Sequence, residues 1–152
     1  MKPPSHFWIY ILECDDGSFY TGLSADLVRR YWQHLNAKAG VRYTRSHHVR
    51  RIAQCWRLYA PIGTTLKIEL LIKRCSRDLK EQLIAQPEGL AKLVRRRLRK
   101  RPRLVPFAPE RVMSEAQALT VKTARSHDDP FSSEPLRKPW RKKAGIRSEP
   151  QG

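Results

Sequence analysis

The stretch FWIYILECDDGSFYTGL, Phe7 to Leu23, limits what this chain can fold into more than any other. Phe7 to Cys14 is apolar, aromatic and β-branched, which suits a buried strand. Asp15-Asp16-Gly17-Ser18 supplies the turn, because a glycine after aspartate takes the positive φ that a tight hairpin requires. Phe19 to Leu23 is the returning strand. Each arm carries a tyrosine, Tyr10 and Tyr20, and the turn can bring the two close. Register decides whether they share a face, and the turn alone does not fix it. Either tyrosine taken singly is more simply a sheet-packing residue than a chemical one.

Behind the hairpin, SADLVRRYWQHLNAKAG reads as a helix. Ser24 or Asp26 can cap it by accepting backbone N–H bonds. Leu27, Tyr31 and Leu35 form an apolar stripe that Val28 and Trp32 widen. Arg30 and His34 are four apart and share one side. VRYTRSHHVRR, residues 41–51, is polar and basic and reads as a loop. Its adjacent His47 and His48 have no obvious third ligand, so contact with phosphate explains them better than a metal. Ile52 to Ala60 reads as a third strand. TTLKIELLIKR, residues 64–74, looks helical, with Glu69 in the middle of its apolar residues. Ser76 can cap a further short helix, RDLKEQLIA. Trp32 and Trp56 are most simply core residues.

From Pro87 to about Lys100 the chain reads as another helix, with Leu90, Leu93, Val94 and Leu98 on one face. Charge becomes decisive here. The 152 residues carry a formal net charge of +17. Residues 1–90 hold 14 Lys/Arg against 8 Asp/Glu, and residues 91–152 hold 17 against 6. Eight of the twelve residues from Lys92 to Arg103 are basic. Such density points to polyanions and to phosphate contacts, which raise affinity without reading sequence. Beyond Arg103 the chain is rich in Pro, Ser and charge, with too little to bury to offset ordering entropy, so disorder is expected.

Three cysteines without a CxxC pair argue against a disulfide framework or zinc cluster. There is no secretory pattern at the start, and no apolar run approaches the roughly 18 residues that a span needs. A reducing, cytoplasmic setting is the expectation.

The order is hairpin, helix, strand, helix, with Tyr10, Tyr20, Arg30, His34 and Glu69 placed along it. With WIY at 8–10, YTG at 20–22, DLVRRYWQH at 26–34, YTR at 43–45 and LKIELLIKRCSR at 66–77, residues 7–85 resemble the GIY-YIG nuclease superfamily, most closely its small single-domain members. The resemblance implies an α/β (α+β) domain with a three-stranded antiparallel sheet flanked by helices. It implies phosphodiester hydrolysis assisted by one divalent metal. Tyr10 and Tyr20 match the tyrosines of the two signature triplets, and Gly22 the glycine that closes the second. Arg30 lies where the family carries its catalytic arginine, His34 matches a histidine found in many members, and Glu69 matches the metal-binding glutamate. Trp8 and Thr21 replace the glycine of the first triplet and the isoleucine of the second.

The chemistry asks for these residue types. Phosphodiester cleavage needs a deprotonated water, charge stabilisation on phosphoryl oxygens and help for the leaving oxygen. A carboxylate such as Glu69 is a hard ligand that suits Mg²⁺ or Mn²⁺. Arg30 offers a planar fork of donors matched to phosphate. Tyr10 is favoured as base or base-relay and Tyr20 as the group that positions water or phosphate, with the reverse assignment open. Thr44 and Arg45 either position substrate or brace their loop. Singly, Arg30 reads as a solvated face residue, His34 as a helix-surface histidine, and Glu69 as a partner for Lys73 at i+4. Their joint occurrence in this order changes the odds.

The expectation is a nuclease-like domain over residues 5–86, a basic helix over 87–103 and a largely disordered basic tail over 104–152. The motif set ends before residue 86, so the domain core should be complete without the tail. The activity expected is metal-dependent cleavage of DNA by a structure- or end-directed nuclease, in repair or recombination. The rival is a non-catalytic DNA- or RNA-binding protein that keeps the fold.

Overall fold

The computed structural model describes residues 6–36 and 48–126. Thr44, Arg45 and His47 lie outside the described residues, as does the tail from residue 127. The elements run β1 (Phe7–Cys14), β2 (Phe19–Ser24), α1 (Leu27–Leu35), β3 (Val49–Tyr59), α2 (Ile62–Lys73), α3 (Arg77–Ala85), α4 (Gly89–Leu98), β4 (Arg103–Phe107) and α5 (Pro109–Ser126). The strands form one antiparallel sheet in the order β2-β1-β3-β4.

The hairpin turns as its sequence requires. Gly17 has φ +84°. Ser18 donates from both its backbone N and its hydroxyl to Asp16 Oδ1, at 2.9 and 2.6 Å. Asp26 rather than Ser24 is the cap of α1, with Oδ1 accepting from Arg29 N at 3.1 Å. Ser24 instead braces the chain before it, its hydroxyl accepting from Asp26 N and donating to Asp26 O. Ser76 caps α3.

The run FWIYIL is apolar without interruption because β1 is covered on both faces. Phe7, Ile9, Ile11, Trp56 and Leu58 point to one face, where α2, α3 and α4 bring Ile68, Ile72, Leu83, Leu90 and Val94. Trp8, Tyr10, Leu12, Ile52 and Cys55 point to the other, where α1 brings Leu27, Tyr31 and Trp32 and α5 brings Val112 and Ala116. A β-bulge lets both sets close: Ile11 pairs with Gln54, but Leu12 pairs with Ile52, so Ala53 is the extra residue. The bulge returns Ile52 to the face of Leu12. Among the described residues no helix is long and apolar enough to cross a membrane.

Two expectations are corrected. The sheet has four strands, not three, and residues 104–126 form most of β4 and all of α5 rather than a disordered tail. The physical reason is that this segment does find surface to bury. Val112 and Ala116 close over the Tyr10 face of the sheet, with Met113 and Leu119 packed beside them. The third strand also begins earlier than expected, at Val49, so residues 49–51 leave the loop and pair with Glu13 and Cys14. Leu35, expected on the apolar stripe of α1, is exposed at its end.

Candidate active site

Register settles how the tyrosines stand. Tyr10 pairs with Gly22 and Leu12 with Tyr20. Opposed residues in an antiparallel pair share a face, so Tyr10 and Tyr20 are diagonal neighbours on one side of the hairpin. The Tyr10 ring lies across the space above Gly22. A methyl added to Gly22 would sit 2.7 Å from Tyr10 Cε2 and closer still to Cζ and Oη. The glycine here supplies room, not backbone freedom.

Lying flat across β2, the Tyr10 ring reaches α1. Its hydroxyl is 3.2 Å from His34 Nε2. His34 is buried and stands edge-on to both tyrosines, with ring centroids 6.1 Å from Tyr10 and 5.6 Å from Tyr20. Arg30, one turn earlier on α1, acts on the Tyr10 hydroxyl through charge and a side-chain hydrogen bond. Its Nε is a buried donor with no acceptor among the described residues.

Tyr10 has no exposed surface, whereas Tyr20 is only partly buried. Burial pushes the Tyr10 phenol well above its ordinary value, and the neighbouring Tyr20 adds to that. Arg30 pulls the other way, and the Glu69 carboxylate pushes up slightly. The net effect holds Tyr10 as a neutral phenol. The same interactions show that Tyr20, Arg30 and Glu69 all lie within electrostatic reach of that hydroxyl.

Glu69 comes from α2, which runs beside the edge strand β2. Its carboxylate is almost fully buried and pairs with Lys73 Nζ at 3.5 Å. The i+4 partnership and the place beside the tyrosines are therefore both present. Lys73 is a site neighbour that the motif reading set aside, although the four-residue spacing was there to be read. A buried carboxylate is costly without compensation, and a lysine at this range supplies part of it. No group of three His, Cys, Asp or Glu among the described residues could enclose a metal. A magnesium-type site needs only one or two carboxylates and keeps its waters. One buried carboxylate within electrostatic reach of Tyr10 fits such a site. His48 is exposed, and its backbone O accepts from Asp15 N at 2.8 Å, which braces the hairpin turn.

The two departures from the signature triplets sit differently. Trp8 packs edge-on against Phe107 of β4, centroids 5.0 Å apart, and carries Arg57 over its ring. Thr21 is buried on the opposite face from Tyr10, and its hydroxyl has no partner among the described residues.

No solved structure matches the chain. Curated relatives do. A UPF0213 protein of Fusobacterium nucleatum is 37% identical over 86 residues, which is 57% of this chain and 84% of the relative. One from Halalkalibacterium halodurans is 38% identical over 82 residues, 54% of this chain and 85% of its own. The UPF0213 protein YhbQ of Escherichia coli is 32% identical over 91 residues, 58% of this chain and 86% of its own. The family model of the GIY-YIG catalytic domain matches residues 6–82, the span that carries every residue of the Tyr10 cluster, and the chain belongs to that nuclease family.

Proposed function

We propose that the protein hydrolyses phosphodiester bonds in DNA with the help of a divalent cation, as a structure- or end-directed nuclease. The observation that carries this reading is the Tyr10 hydroxyl, within hydrogen-bond reach of His34 Nε2 and within electrostatic reach of Arg30, Tyr20 and Glu69.

Each residue then has a task. Glu69 would hold Mg²⁺ or Mn²⁺ through its carboxylate, with water completing the shell. The cation, when bound, supplies positive charge beside the phosphoryl oxygens. Arg30 offers them its planar fork, including the Nε that has no acceptor among the described residues. Tyr20, the more exposed tyrosine, positions the phosphate or the attacking water. Tyr10 has no exposed surface, which favours a relay over direct contact with water. In that relay the attacking water gives up a proton, one proton arrives at Tyr10 Oη as the phenol proton passes to His34 Nε2, and the water oxygen bonds to phosphorus. The bond from phosphorus to the leaving oxygen breaks, and that oxygen departs with the bonding pair and takes up a proton from solvent.

The test is an incubation of purified protein with labelled single-stranded, duplex, nicked and branched DNAs, with and without Mg²⁺ or Mn²⁺. Cleavage that needs the metal and is lost in Glu69→Gln is expected. Binding without cleavage under every condition would overturn the proposal. It would support the rival, a non-catalytic nucleic-acid-binding protein, for which the exposed cations of Lys92–Arg103 already supply a surface.

A further inference from the structure

The cations beyond the family-matched span are arranged, not merely numerous. On α4 the apolar residues Leu90, Leu93 and Val94 are buried, while Lys92, Arg95 and Arg96 are exposed. Lys92, Arg96 and Arg99 follow one another at helical spacing, so they line the outer face over roughly 10 Å. Arg99 closes the helix with φ 54°, and its N–H bonds Arg95 O at 3.1 Å. Glycine is the usual residue in that left-handed position, so an arginine there is held against its own preference. Lys100, Arg101 and Arg103 continue the exposed run.

Among the described residues no carboxylate pairs with them. The ion pairs given for the described residues join Arg51 to Glu13, Lys73 to Glu69 and Arg77 to Glu81, and none uses a cation between Lys92 and Arg103. The helix dipole favours Arg95, Arg96 and Arg97 in the last turn. It does not account for Lys92, or for four more cations after the helix ends. The wall of the groove between α3 and α4 carries Gln82 and Gln86 on one side and Lys92 and Arg96 on the other.

The run also reaches back towards the candidate active site. Arg97 and Lys80 both act electrostatically on Cys75, and Lys73 acts on Lys80. Lys73 in turn pairs with Glu69. The cations therefore succeed one another from Glu69 across α2 and α3 to α4.

We propose that Lys73, Lys80 and Arg97 and the outer face of α4 from Lys92 to Arg99 form one phosphate-binding track that holds duplex DNA flanking the cleaved phosphate. The track rests on the DNA reading proposed above and gives that substrate a second, non-catalytic contact surface. Amides and guanidinium groups along a groove suit sugar–phosphate contacts, which fix position without reading bases. A face of about 10 Å spans roughly three phosphates of one strand at their 3.4 Å axial spacing.

The experiment measures anisotropy of a labelled 30-base-pair duplex across a salt series, in EDTA so that binding is read without cleavage. It compares the full chain with a Lys92→Gln/Arg95→Gln/Arg96→Gln variant and with an Arg111→Gln/Lys122→Gln control on α5. The triple variant should bind on the order of tenfold more weakly, and its slope of log affinity against log salt should flatten by about 2 to 3, at roughly 0.9 per lost phosphate contact. The control should keep its slope, and duplexes of unrelated sequence should lose equally in the triple variant. If the triple variant does not fold, Lys92→Gln and Arg96→Gln singly should each flatten the slope by about one. An unchanged slope in the variants would overturn the track, as would an equal loss per cation in the control. Tighter binding of duplex RNA through the same residues would overturn the choice of DNA. A protein that cleaves DNA while the variants keep their slope removes the track and leaves the function. One that shows the slope change and never cleaves does the reverse.

Discussion

The family-matched span, residues 6–82, and the segment from Gly89 to Ser126 are built on different terms. In the first, side chains fix one another: Tyr10 lies over Gly22, His34 meets Tyr10, and Glu69 meets Lys73. In the second, few residues are buried and most of the surface is charged. Among the described side chains of α5, Val112 and Ala116 are buried in the core, with Pro109 buried at the helix start. Yet the second is stitched to the first along β3. Gln54 Nε2 donates to Phe107 O at 3.1 Å and Ile52 N to the Met113 sulfur at 3.4 Å, while Trp56 Nε1 holds the link between the two segments at Pro87 O, 2.8 Å away. Phe107 also meets Trp8, the residue that stands where the family has glycine. The difference teaches that the described residues of the candidate site all come from the first region, while the core draws on both. A departure in the first signature triplet is explained by a strand from outside the match.

The sharpest way to break this comparison is truncation. The motif reading expects a core complete before residue 86. The structure expects otherwise, because removing residues 99–152 deletes β4 and α5 and uncovers Trp8, Ile52 and Cys55. The loss should be on the order of 5 kcal/mol or more, comparable to the whole stability of a domain. Chemical denaturation of the truncated chain checks it, and a cooperative transition at the full-length midpoint would show the segment to be dispensable. Restoring the family residue by Trp8→Gly should also hurt, by about 3–5 kcal/mol, since a large buried ring leaves a cavity. A family-wide advantage for glycine would appear instead as an unchanged midpoint.

Changes within the site should do the opposite. Arg30→Lys keeps the charge but loses the fork, so kcat should fall on the order of a hundredfold while the melting temperature hardly moves. Near-normal turnover would remove Arg30 from the set. The smallest effect is local: Asp26→Ala removes the cap of α1 and should cost about 1 kcal/mol. Because α1 carries Arg30 and His34, thermal melting read beside turnover shows whether the helix start also steadies the site.

The hairpin, the α1 cap and the α3 helix were legible because each has a local cause: a glycine turn, an aspartate side chain, a serine before an apolar period. The five site residues were legible because their types and order repeat a family pattern. Register was not, since it depends on the pairing of β1 with β2 and on the Ala53 bulge rather than on the turn. β4 was hidden for a further reason. RLVPF is short, exposed on most positions and contains Pro106, which an edge strand tolerates because one side of it needs no ladder bonds. α5 hides its attachment in Val112 and Ala116, spaced by four among polar neighbours, which sequence alone cannot distinguish from a solvated helix.

The space above Gly22, which the Tyr10 ring fills, couples two positions that lie twelve apart in the chain. No side chain can appear at 22 while a six-membered ring keeps its place at 10, and removing the Tyr10 hydroxyl alone does not help, since Cζ and Cε2 stay in the way. The pair should therefore behave as a single heritable unit: across many chains with this hairpin, a residue larger than glycine at the second position should occur only where the first has lost its ring or the strands have slipped register. Gly22→Ala made together with Tyr10→Leu should then recover stability that Gly22→Ala made with Tyr10→Phe does not. If the two double variants melted alike, the positions would be free to drift independently.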